Sequence, residues 1–369
     1  MLWKIAKTAI TAVGGRVARK VSTNNSLAGT AIPSVLSAHS RSMSRHLIID
    51  TDGGFDDLIA VHALLDSRQS QGEKAPLIST VGGVLPAPTG AALLRGLFPH
   101  ATITTGRNAP TMPFDPIPEW LMNYRSSTLS KFSEAMSIQP VPVLPDNAQD
   151  EHDHQHESLE HFLECIQTSP ENGVDLICLG PLSNLAHWLD HLENENKSLL
   201  ASKINHVFIL GGNYPHSNAF TKENAEFNFS LDPKAVDRVF RSPLLKDKLN
   251  IIPTTVSDRV RLKSELGETL VEEFIQQSLI MSDGETPSSF VGKVLQFDSV
   301  GYSLSCDPIC AFAAEHIHKC KWERIAVGVD TTSGLLLPHT EEEEEETFVR
   351  IATNIDLSEY LLWIGRLYT

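Results

Sequence analysis

The sequence predicts an α/β fold in which an open, mostly parallel sheet is covered by helices on both faces. Short, continuous apolar runs of strand length recur from residue 46 onward, and helical patterns separate them. Such runs are typical of strands that are buried on both faces, as in a parallel sheet. A chain of 369 residues, 41% of them hydrophobic, can bury one large core, and no internal repeat divides the sequence. We therefore expect a single domain over residues 46–369.

Strands and helices alternate along this domain. The strands are predicted at 46–50, 77–82, 102–105, 174–179, 206–210, 251–255, 324–329 and 348–353. The helices are predicted at 56–65, 90–97, 159–166, 182–191, 233–240, 308–316 and 357–367. This alternation is the pattern of a parallel sheet with helical crossovers.

The charge distribution argues against nucleic acid as a partner. The net charge is −16, but the first 49 residues carry seven Lys or Arg and no acidic residue, so the remaining residues carry −23. An acidic body of this kind repels a phosphate backbone. No apolar run reaches the roughly 18 residues that a membrane-spanning helix needs. We expect a small-molecule substrate, and neither nucleic acid nor a membrane as partner.

Residues 1–45 form a basic leader that is expected to contribute nothing to the fold. The leader is rich in Ser, Thr and Ala, its Lys and Arg residues are scattered, and the first acidic residue of the chain is Asp50. This is the composition of a mitochondrial transit peptide, which predicts a mitochondrial location. The alternative is a disordered basic leader on a cytoplasmic protein.

Neither a zinc site nor a disulfide framework is indicated. The five cysteines, at 165, 178, 306, 310 and 320, form no CxxC pair. The tract 146–161 contains four histidines and offers transition-metal ligands, but a solvated loop is the expectation for so biased a composition. The acidic run 341–346 is likewise expected to be a solvated turn. The histidines of the tract are His152, His154, His156 and His161.

Four carboxylates follow the first predicted strand and precede the first predicted helix. They are Asp50, Asp52, Asp56 and Asp57, and the turn Gly53–Gly54 lies among them. Open α/β sheets bind their ligands at this end of a strand. Carboxylates this close repel one another unless a cation lies between them; a hard cation, calcium or magnesium, fits, and oxygen-only ligands favour calcium. The alternative is that Asp56 or Asp57 caps the helix while the other carboxylates are solvated.

This segment resembles the DxDxxxDD signature that opens the inosine-uridine preferring nucleoside hydrolase family. Further blocks match that family in the same order along most of the chain after residue 45. The resemblance implies the Rossmann-like single domain of that family, and hydrolysis of the N-glycosidic bond of ribonucleosides. The matching blocks are 177–186, 210–212, 225–228, 232–233 and 307–308.

The resemblance also implies a calcium site and a general base. Calcium is held by the side chains of Asp52, Asp57 and Asp307 and by the backbone carbonyl of Leu179. Ion-bound water is easier to deprotonate than bulk water, and Asp52 takes its proton. The resemblance further implies a homodimer or a homotetramer.

Four residues are implied to bind the ribose. An anionic surround suits the oxocarbenium-like sugar that forms as the base departs. Phe227 and Phe229 alternate with two of the four, which favours an extended segment with one apolar and one polar face. The alternative for this segment is a surface turn followed by a helix cap at Asp232. The ribose-binding residues are Asp56, Glu226, Asn228 and Asp307.

The chain departs from the family at three places. Many members have a histidine that protonates the leaving base, and here Cys306 occupies that position, as in a cysteine-bearing subgroup. A thiol is mostly protonated at neutral pH and can donate a proton, although cysteine also serves as a small buried hydrophobe. Val84 stands where a ribose-binding asparagine is common, so that contact is missing or supplied elsewhere. The family's glycine-rich his-gly loop is not recognisable, so the base preference does not carry over.

Three other functions compete with nucleoside hydrolysis. One is hydrolysis of a modified N-riboside, such as a nicotinamide riboside. Another is a non-catalytic calcium- or nucleoside-binding protein, although Asp52 would have no task there beyond ligating the ion. The third is a haloacid-type phosphatase, because Asp50 and Asp52 have the spacing of its Asp-x-Asp motif. That function does not explain the Asp56–Asp57 pair or the later blocks.

Overall fold

The first strand shows how the apolar pattern builds two cores. In the computed structural model, β1 (His46–Thr51) packs Leu47 and Ile49 on one face of the sheet and Ile48 on the other. All three side chains are buried, because helices cover both faces. The structure describes residues 45–110, 118–144, 151–195, 198–214, 225–257, 289–297, 303–338 and 347–368.

These residues form one sheet of nine strands, most of them parallel. After β1, the strands are β2 (Leu77–Thr80), β3 (Thr102–Thr105), β4 (Val174–Cys178), β5 (Ile204–Leu210), β6 (Leu249–Ile252), β7 (Cys320–Val329), β8 (Leu336–Pro338) and β9 (Phe348–Ile355). Their order in the sheet is β3-β2-β1-β4-β5-β6-β9-β7-β8. The pairs from β3 to β9 are parallel, whereas β7 is antiparallel to both β9 and β8. The strand order reverses between β1 and β4, and open sheets of this kind bind ligands beyond the carboxyl ends of such strands.

Helices of the described residues connect the strands and cover the sheet. The helices are α1 (Phe55–Ser70), α2 (Ala87–Leu97), α3 (Glu119–Asn123), α4 (Leu129–Ala135), α5 (Glu151–Thr168), α6 (Ser183–Asn194), α7 (Phe227–Leu231), α8 (Pro233–Phe240), α9 (Thr254–Ser257), α10 (Phe290–Leu295), α11 (Asp307–Glu315) and α12 (Leu357–Ile364). A π-helical turn, Tyr124–Thr128, joins α3 to α4. Short 3-10 helices lie at Ser198–Lys203, Pro243–Leu245, Ile317–Lys319 and Gly365–Tyr368.

The two faces of the sheet have separate hydrophobic cores. On one face α11 packs against α1, and Phe312 of α11 contacts Tyr360 of α12 edge-on at a centroid distance of 5.6 Å. On the other face Phe162 of α5 stacks on Trp188 of α6 at 4.4 Å, beside Val236 of α8. Each of these buried side chains contributes about 1.5–3 kcal/mol of transfer free energy. The predicted sheet with helices on both faces is confirmed.

The His-rich tract is helical from Glu151 onward, so the prediction of a loop at 146–161 was wrong there. Leu159, Phe162 and Ile166 recur at helical spacing and are all buried against the sheet. This apolar stripe anchors α5, and the polar residues before it continue the helix. Residues 146–150 and the side chains of His152, His154 and His156 lie outside the described residues.

Two segments expected to be extended are wholly or partly helical. Phe227–Leu231 forms α7, because the side chain of Glu226 accepts hydrogen bonds from the backbone N–H groups of Asn228 and Phe229 and caps a helix there. The predicted strand 251–255 ends at Ile252, and α9 begins at Thr254.

Other differences concern the far edge of the sheet and the parts not described. Strand β7 begins at Cys320, four residues before the prediction, and β8 was not predicted because it has only three residues. The leader up to residue 44 and the acidic run 341–346 lie outside the described residues. Among the residues described, no helix is both long enough and apolar enough to cross a membrane.

Candidate active site

The turn between β1 and α1 organises the first carboxylates. Gly53 has a φ of +80°, a conformation that glycine adopts most readily. The Oδ2 atom of Asp57 accepts a hydrogen bond from the backbone N–H of Gly54 at 3.0 Å. The Oδ1 atom of Asp57 accepts from the backbone N–H of Asp52 at 3.2 Å and from the Thr51 hydroxyl. Asp57 therefore fills the capping role considered for this segment, and these bonds also fix its carboxylate beside Asp52.

The carboxylate of Asp52 is enclosed by loops that follow β2 and β4. Its side chain is 2% exposed, and its Oδ2 atom accepts a hydrogen bond from the backbone N–H of Val84 at 2.9 Å. A Cβ atom at Gly83 would lie 2.1 Å from the same oxygen, and one at Gly180 would lie 2.9 Å from the Asp52 Cβ. Only glycine leaves room at both positions. Val84 lacks the side-chain amide of the asparagine that is common at this position, but its backbone N–H is a donor to Asp52.

Three carboxylates gather into a group that could hold a metal ion. Oxygen atoms of Asp56, Asp57 and Asp307 lie within 4.8 Å of one another, with Asp307 placed by the first turn of α11. Asp57 and Asp307 are buried, and the Oδ1 atom of Asp307 has no hydrogen-bond partner. A buried oxygen without a partner is unfavourable unless a cation or a proton reaches it. Oxygen-only donors of this kind fit a hard divalent cation.

Burial makes it hard for these carboxylates to stay charged together. The pKa of Asp57 is raised to about 6, chiefly by burial and in part by the charge of the nearby Asp56 carboxylate. Burial also raises the pKa values of Asp52 and Asp307 well above the usual range, and the charge of Asp57 adds to both shifts. A bound cation would oppose all three shifts, because it stabilises the charged forms.

The side chains predicted to bind calcium are not all in this group. Asp57 and Asp307 belong to it, the third member is Asp56, and Asp52 lies outside it. The carbonyl of Leu179 follows β4 at the same edge of the sheet and accepts a hydrogen bond from the Asn228 side-chain amide at 2.7 Å. A carbonyl oxygen has two lone pairs, so this bond leaves one available.

Glu226 and Asn228 form the polar wall beside Asp52. The Glu226 carboxylate accepts hydrogen bonds from the N–H groups of Asn228 at 3.0 Å, Phe229 at 3.1 Å and Gly212 at 3.2 Å. The pKa of Glu226 is raised to about 7, which is the net effect of burial, the opposing hydrogen bonds from the three backbone donors and the charge of Asp52. A buried acid held this way can change protonation state near neutral pH.

Cys306 lies immediately before Asp307 in a strained backbone conformation. Its φ is +52°, which is uncommon for a residue with a side chain. Its thiol is half-buried and lies 3.6 Å from the Ser257 hydroxyl, to which it donates, and 3.8 Å from the Ser305 hydroxyl. Strained residues of this kind cluster at functional sites.

The sequence model of the inosine-uridine preferring nucleoside hydrolase family matches residues 47–361. The chain belongs to this family. The matched region includes every residue of the site described above. The resemblance predicted from the matching blocks is therefore confirmed.

Individual relatives of this nucleoside hydrolase family member match only part of the chain, at low sequence identity. Non-specific ribonucleoside hydrolases RihC of Salmonella paratyphi B and Salmonella newport are each 30% identical over 208 residues. Those matches cover 54% of this chain and 59% of either relative, so the chain spans less than two thirds of their length.

Solved structures share the fold at lower identity. The inosine-uridine preferring nucleoside hydrolase of Bacillus anthracis has a TM-score of 0.61 at 18% identity, covering 88% of this chain and 99% of that one. An inosine-guanosine nucleoside hydrolase has a TM-score of 0.62 at 18% identity, covering 88% and 98%. The single-domain α/β architecture is that of the family.

Several residues around the site of this family member were not predicted. Asn184 donates its side-chain amide to Asp50 Oδ1 at 2.7 Å, a contact that the matching block 177–186 does not reveal. The side chains of Tyr124 and Arg125 donate hydrogen bonds to backbone carbonyls of the loops around Asp52. The ring centroids of Trp120 and Phe227 are 5.9 Å apart. Aromatic residues at 120 and 124 have helical spacing, which is the one signal that the sequence offered for this segment.

Proposed function

We propose that this chain hydrolyses the N-glycosidic bond of a ribonucleoside to give ribose and a free base. The observation that carries the proposal is the buried carboxylate cluster at the carboxyl edge of the sheet, with an unpartnered oxygen on Asp307 and a polar wall beside it. An anionic cluster of this kind favours a sugar that develops positive charge as the base departs. Family membership and the names of the relatives support the same reaction.

Calcium is the cation that we propose for the cluster. Asp57, Asp307, Asp52 and the Leu179 carbonyl would hold it, and the three-carboxylate group adds Asp56 as a further candidate. Every donor is an oxygen, which suits calcium better than zinc or copper. When bound, calcium would supply the positive charge that makes a coordinated water easier to deprotonate.

Asp52 is the general base in this proposal. Its Oδ2 atom is fixed by the Val84 N–H, so the carboxylate has a defined orientation before the substrate arrives. Asp52 would take a proton from the attacking water, and the surrounding carboxylates would stabilise the positive charge that develops on the sugar. General-base catalysis of this kind contributes roughly 10²- to 10⁴-fold to turnover.

Four residues would orient the ribose, and Cys306 would assist the leaving group. The hydroxyl groups of ribose are donors and acceptors that match buried carboxylates and amides. The Cys306 thiol lies next to Asp307 and carries a proton that it could donate to the departing base. The ribose-binding residues are Asp56, Glu226, Asn228 and Asp307.

The test is release of free base by the full chain from a panel of purine, pyrimidine and nicotinamide ribosides, with calcium or with a chelator. Asp52→Asn is the active-site variant, and Asp66→Asn, an exposed carboxylate on α1, is the matched control. Base release that needs calcium, falls about 10²-fold or more in Asp52→Asn and is unchanged in Asp66→Asn supports the proposal. The ribosides that react would rank the substrates and identify a modified N-riboside if one is preferred.

The outcome that contradicts hydrolysis is calcium binding without release of any base. That outcome favours the non-catalytic binding protein, for which the substitutions at Val84 and Cys306 are the supporting observations.

On the basis of the family resemblance we also propose that the chain forms a homodimer or a homotetramer, which sedimentation of the purified chain tests. The basic leader extends our proposal to a mitochondrial location, which imaging of the tagged full chain tests against a cytoplasmic one.

A further inference from the structure

A π-helical turn packs against the loop that carries the first carboxylates. The turn lies between α3 and α4, and single π-turns inside helices occur frequently at functional sites. The hydroxyl of Tyr124, at the start of the turn, donates a hydrogen bond to the carbonyl of Gly53 at 2.7 Å. The Tyr124 ring is buried and contacts Phe55 edge-on, with centroids 4.8 Å apart. The tyrosine therefore has one fixed position against the β1–α1 turn.

The next residue of the same turn holds a second loop. Arg125 donates from Nε to the carbonyl of Val84 and from Nη2 to the carbonyl of Gly83, both at 2.8 Å. These two carbonyls belong to the loop whose Val84 N–H binds the Asp52 carboxylate. Hydrogen bonds from a guanidinium group are charge-assisted, and its two parallel donors fix direction as well as distance.

The two loops held by the turn are also bonded to each other around Asp52. The carbonyl of Asp52 accepts a hydrogen bond from the N–H of Leu85 at 3.0 Å. The loop after β2 thus binds Asp52 twice, at its backbone carbonyl through the Leu85 N–H and at its side-chain carboxylate through the Val84 N–H. The hydrogen bonds by which Tyr124 and Arg125 hold these loops go to backbone carbonyls.

We propose that Tyr124 and Arg125 form a clamp that positions Asp52, an inference that rests on the proposed role of Asp52 as general base. They are positioning residues, because they act through the backbone of Gly53, Gly83 and Val84. Loss of the clamp lets the Val84 N–H move relative to the carboxylate. A misplacement of about 1 Å lowers turnover roughly 10²-fold without removing substrate contacts, so kcat falls more than KM rises.

The clamp is tested with four variants of the full chain. Arg125→Ala removes both donors, Arg125→Lys keeps the charge with a single-point donor, and Tyr124→Phe removes only the hydroxyl. Lys131→Ala removes an exposed cation from the neighbouring α4 and is the matched control. For each variant kcat and KM are measured with the best riboside, and the melting temperature reports folding.

We expect kcat to fall about 10- to 100-fold in Arg125→Ala and less in Arg125→Lys and Tyr124→Phe, with KM within a few-fold of wild type. Millimolar guanidinium ion is expected to restore part of the turnover of Arg125→Ala and none of that of Asp52→Asn. A purely structural role for Arg125 would not give this rescue. Unchanged kcat in Arg125→Ala, while Asp52→Asn is inactive, overturns the clamp and leaves the proposed function intact.

A second measurement does not depend on turnover. Hydrogen exchange of the backbone amides of Gly83, Val84 and Leu85 reports whether the loop is held. We expect faster exchange there in Arg125→Ala than in Lys131→Ala. Equal exchange in both variants overturns the clamp, even if no riboside is hydrolysed and the proposed function has failed.

Discussion

The side-chain amide of Asn228 donates a hydrogen bond to the backbone carbonyl of Leu179, with 2.7 Å between the two atoms. Asn228 lies in α7, and Leu179 follows β4, so the bond joins two segments far apart in the chain. In the proposed reaction Asn228 binds the ribose and the Leu179 carbonyl binds calcium. One side chain therefore couples the two ligands of the proposed reaction.

Asn228→Ala is expected to weaken calcium binding as well as turnover. Removing the amide frees the Leu179 carbonyl to turn away, and loss of a partner behind a metal ligand lowers affinity about 10-fold or more. Calcium titration by calorimetry measures the effect in the absence of a nucleoside. Asn194→Ala, at the exposed end of α6, is the control. Affinities within twofold of each other would show that Asn228 does not hold the carbonyl.

Gly83→Ala is expected to displace the Asp52 carboxylate. The new Cβ would lie 2.1 Å from Asp52 Oδ2, so the carboxylate must move and both stability and turnover fall. In an Asp52→Ala background that oxygen is absent, and the same substitution should cost about 0.5–3 kcal/mol less. Urea unfolding of the four proteins of this cycle measures the difference. Gly365→Ala, where a Cβ meets nothing within 4 Å, should be neutral. Additive costs in the cycle would contradict the clash.

Glu226 is expected to make the calcium-free protein less stable as the pH rises. Its pKa is raised from 4.5 to about 7. Between these two values the folded state holds a proton that the unfolded state has lost. The stabilisation is therefore complete below pH 4.5 and is lost as the pH rises through about 7, a change of about 3 kcal/mol.

Glu226→Gln removes this titration, so its free energy of unfolding should fall less between pH 4.5 and 7 than that of wild type. Urea unfolding in a chelating buffer at several pH values gives both curves. Asp57 also has a raised pKa, but it is present in both proteins and does not affect the comparison. Parallel curves for the two proteins would mean that Glu226 ionises normally in the folded state.

The position of the site could be predicted from the sequence, because it depends on strand order and apolar runs. Asp52 and Asp57 follow a strand that contains the apolar run Leu47–Ile49, so their placement at the carboxyl edge followed from the pattern alone. The helix at Phe227–Leu231 could not be predicted in this way. Its five residues are too few to show helical periodicity, and the alternation of apolar and polar residues there resembles a strand.

Other parts of the site leave no pattern in the sequence. Tyr124 and Arg125 act on backbone carbonyls, which any residue can provide, so their partners carry no signature. Cys306 has a positive φ at the position that precedes α11, and the residue type gives no indication of this conformation. Contacts to the backbone and strained dihedral angles can thus be identified only from the structure, whereas clustered charges can be identified from the sequence.

Asp232 is expected to matter for stability and not for calcium binding. Its Oδ1 atom accepts a hydrogen bond from the N–H of Ala235 at 3.1 Å and caps α8, and its Oδ2 atom accepts from the Ser183 hydroxyl at 2.6 Å. Asp232→Ala should lower the free energy of unfolding by about 1–3 kcal/mol, because it removes the cap and leaves a buried hydroxyl without its acceptor. Asp232→Asn keeps an acceptor for the cap and should cost less.

Urea unfolding and calcium titration of the same Asp232 variants separate the two roles. In Ser183→Ala the hydroxyl is absent, so Asp232→Ala should cost less in that background than in wild type, by about 0.5–3 kcal/mol. Calcium affinity should stay at the wild-type value in every variant that remains folded, since Asp232 is not a member of the three-carboxylate group. A fall in affinity without a fall in stability would instead make Asp232 part of the metal site, and the aspartate before α8 would then belong with Asp57 and Asp307.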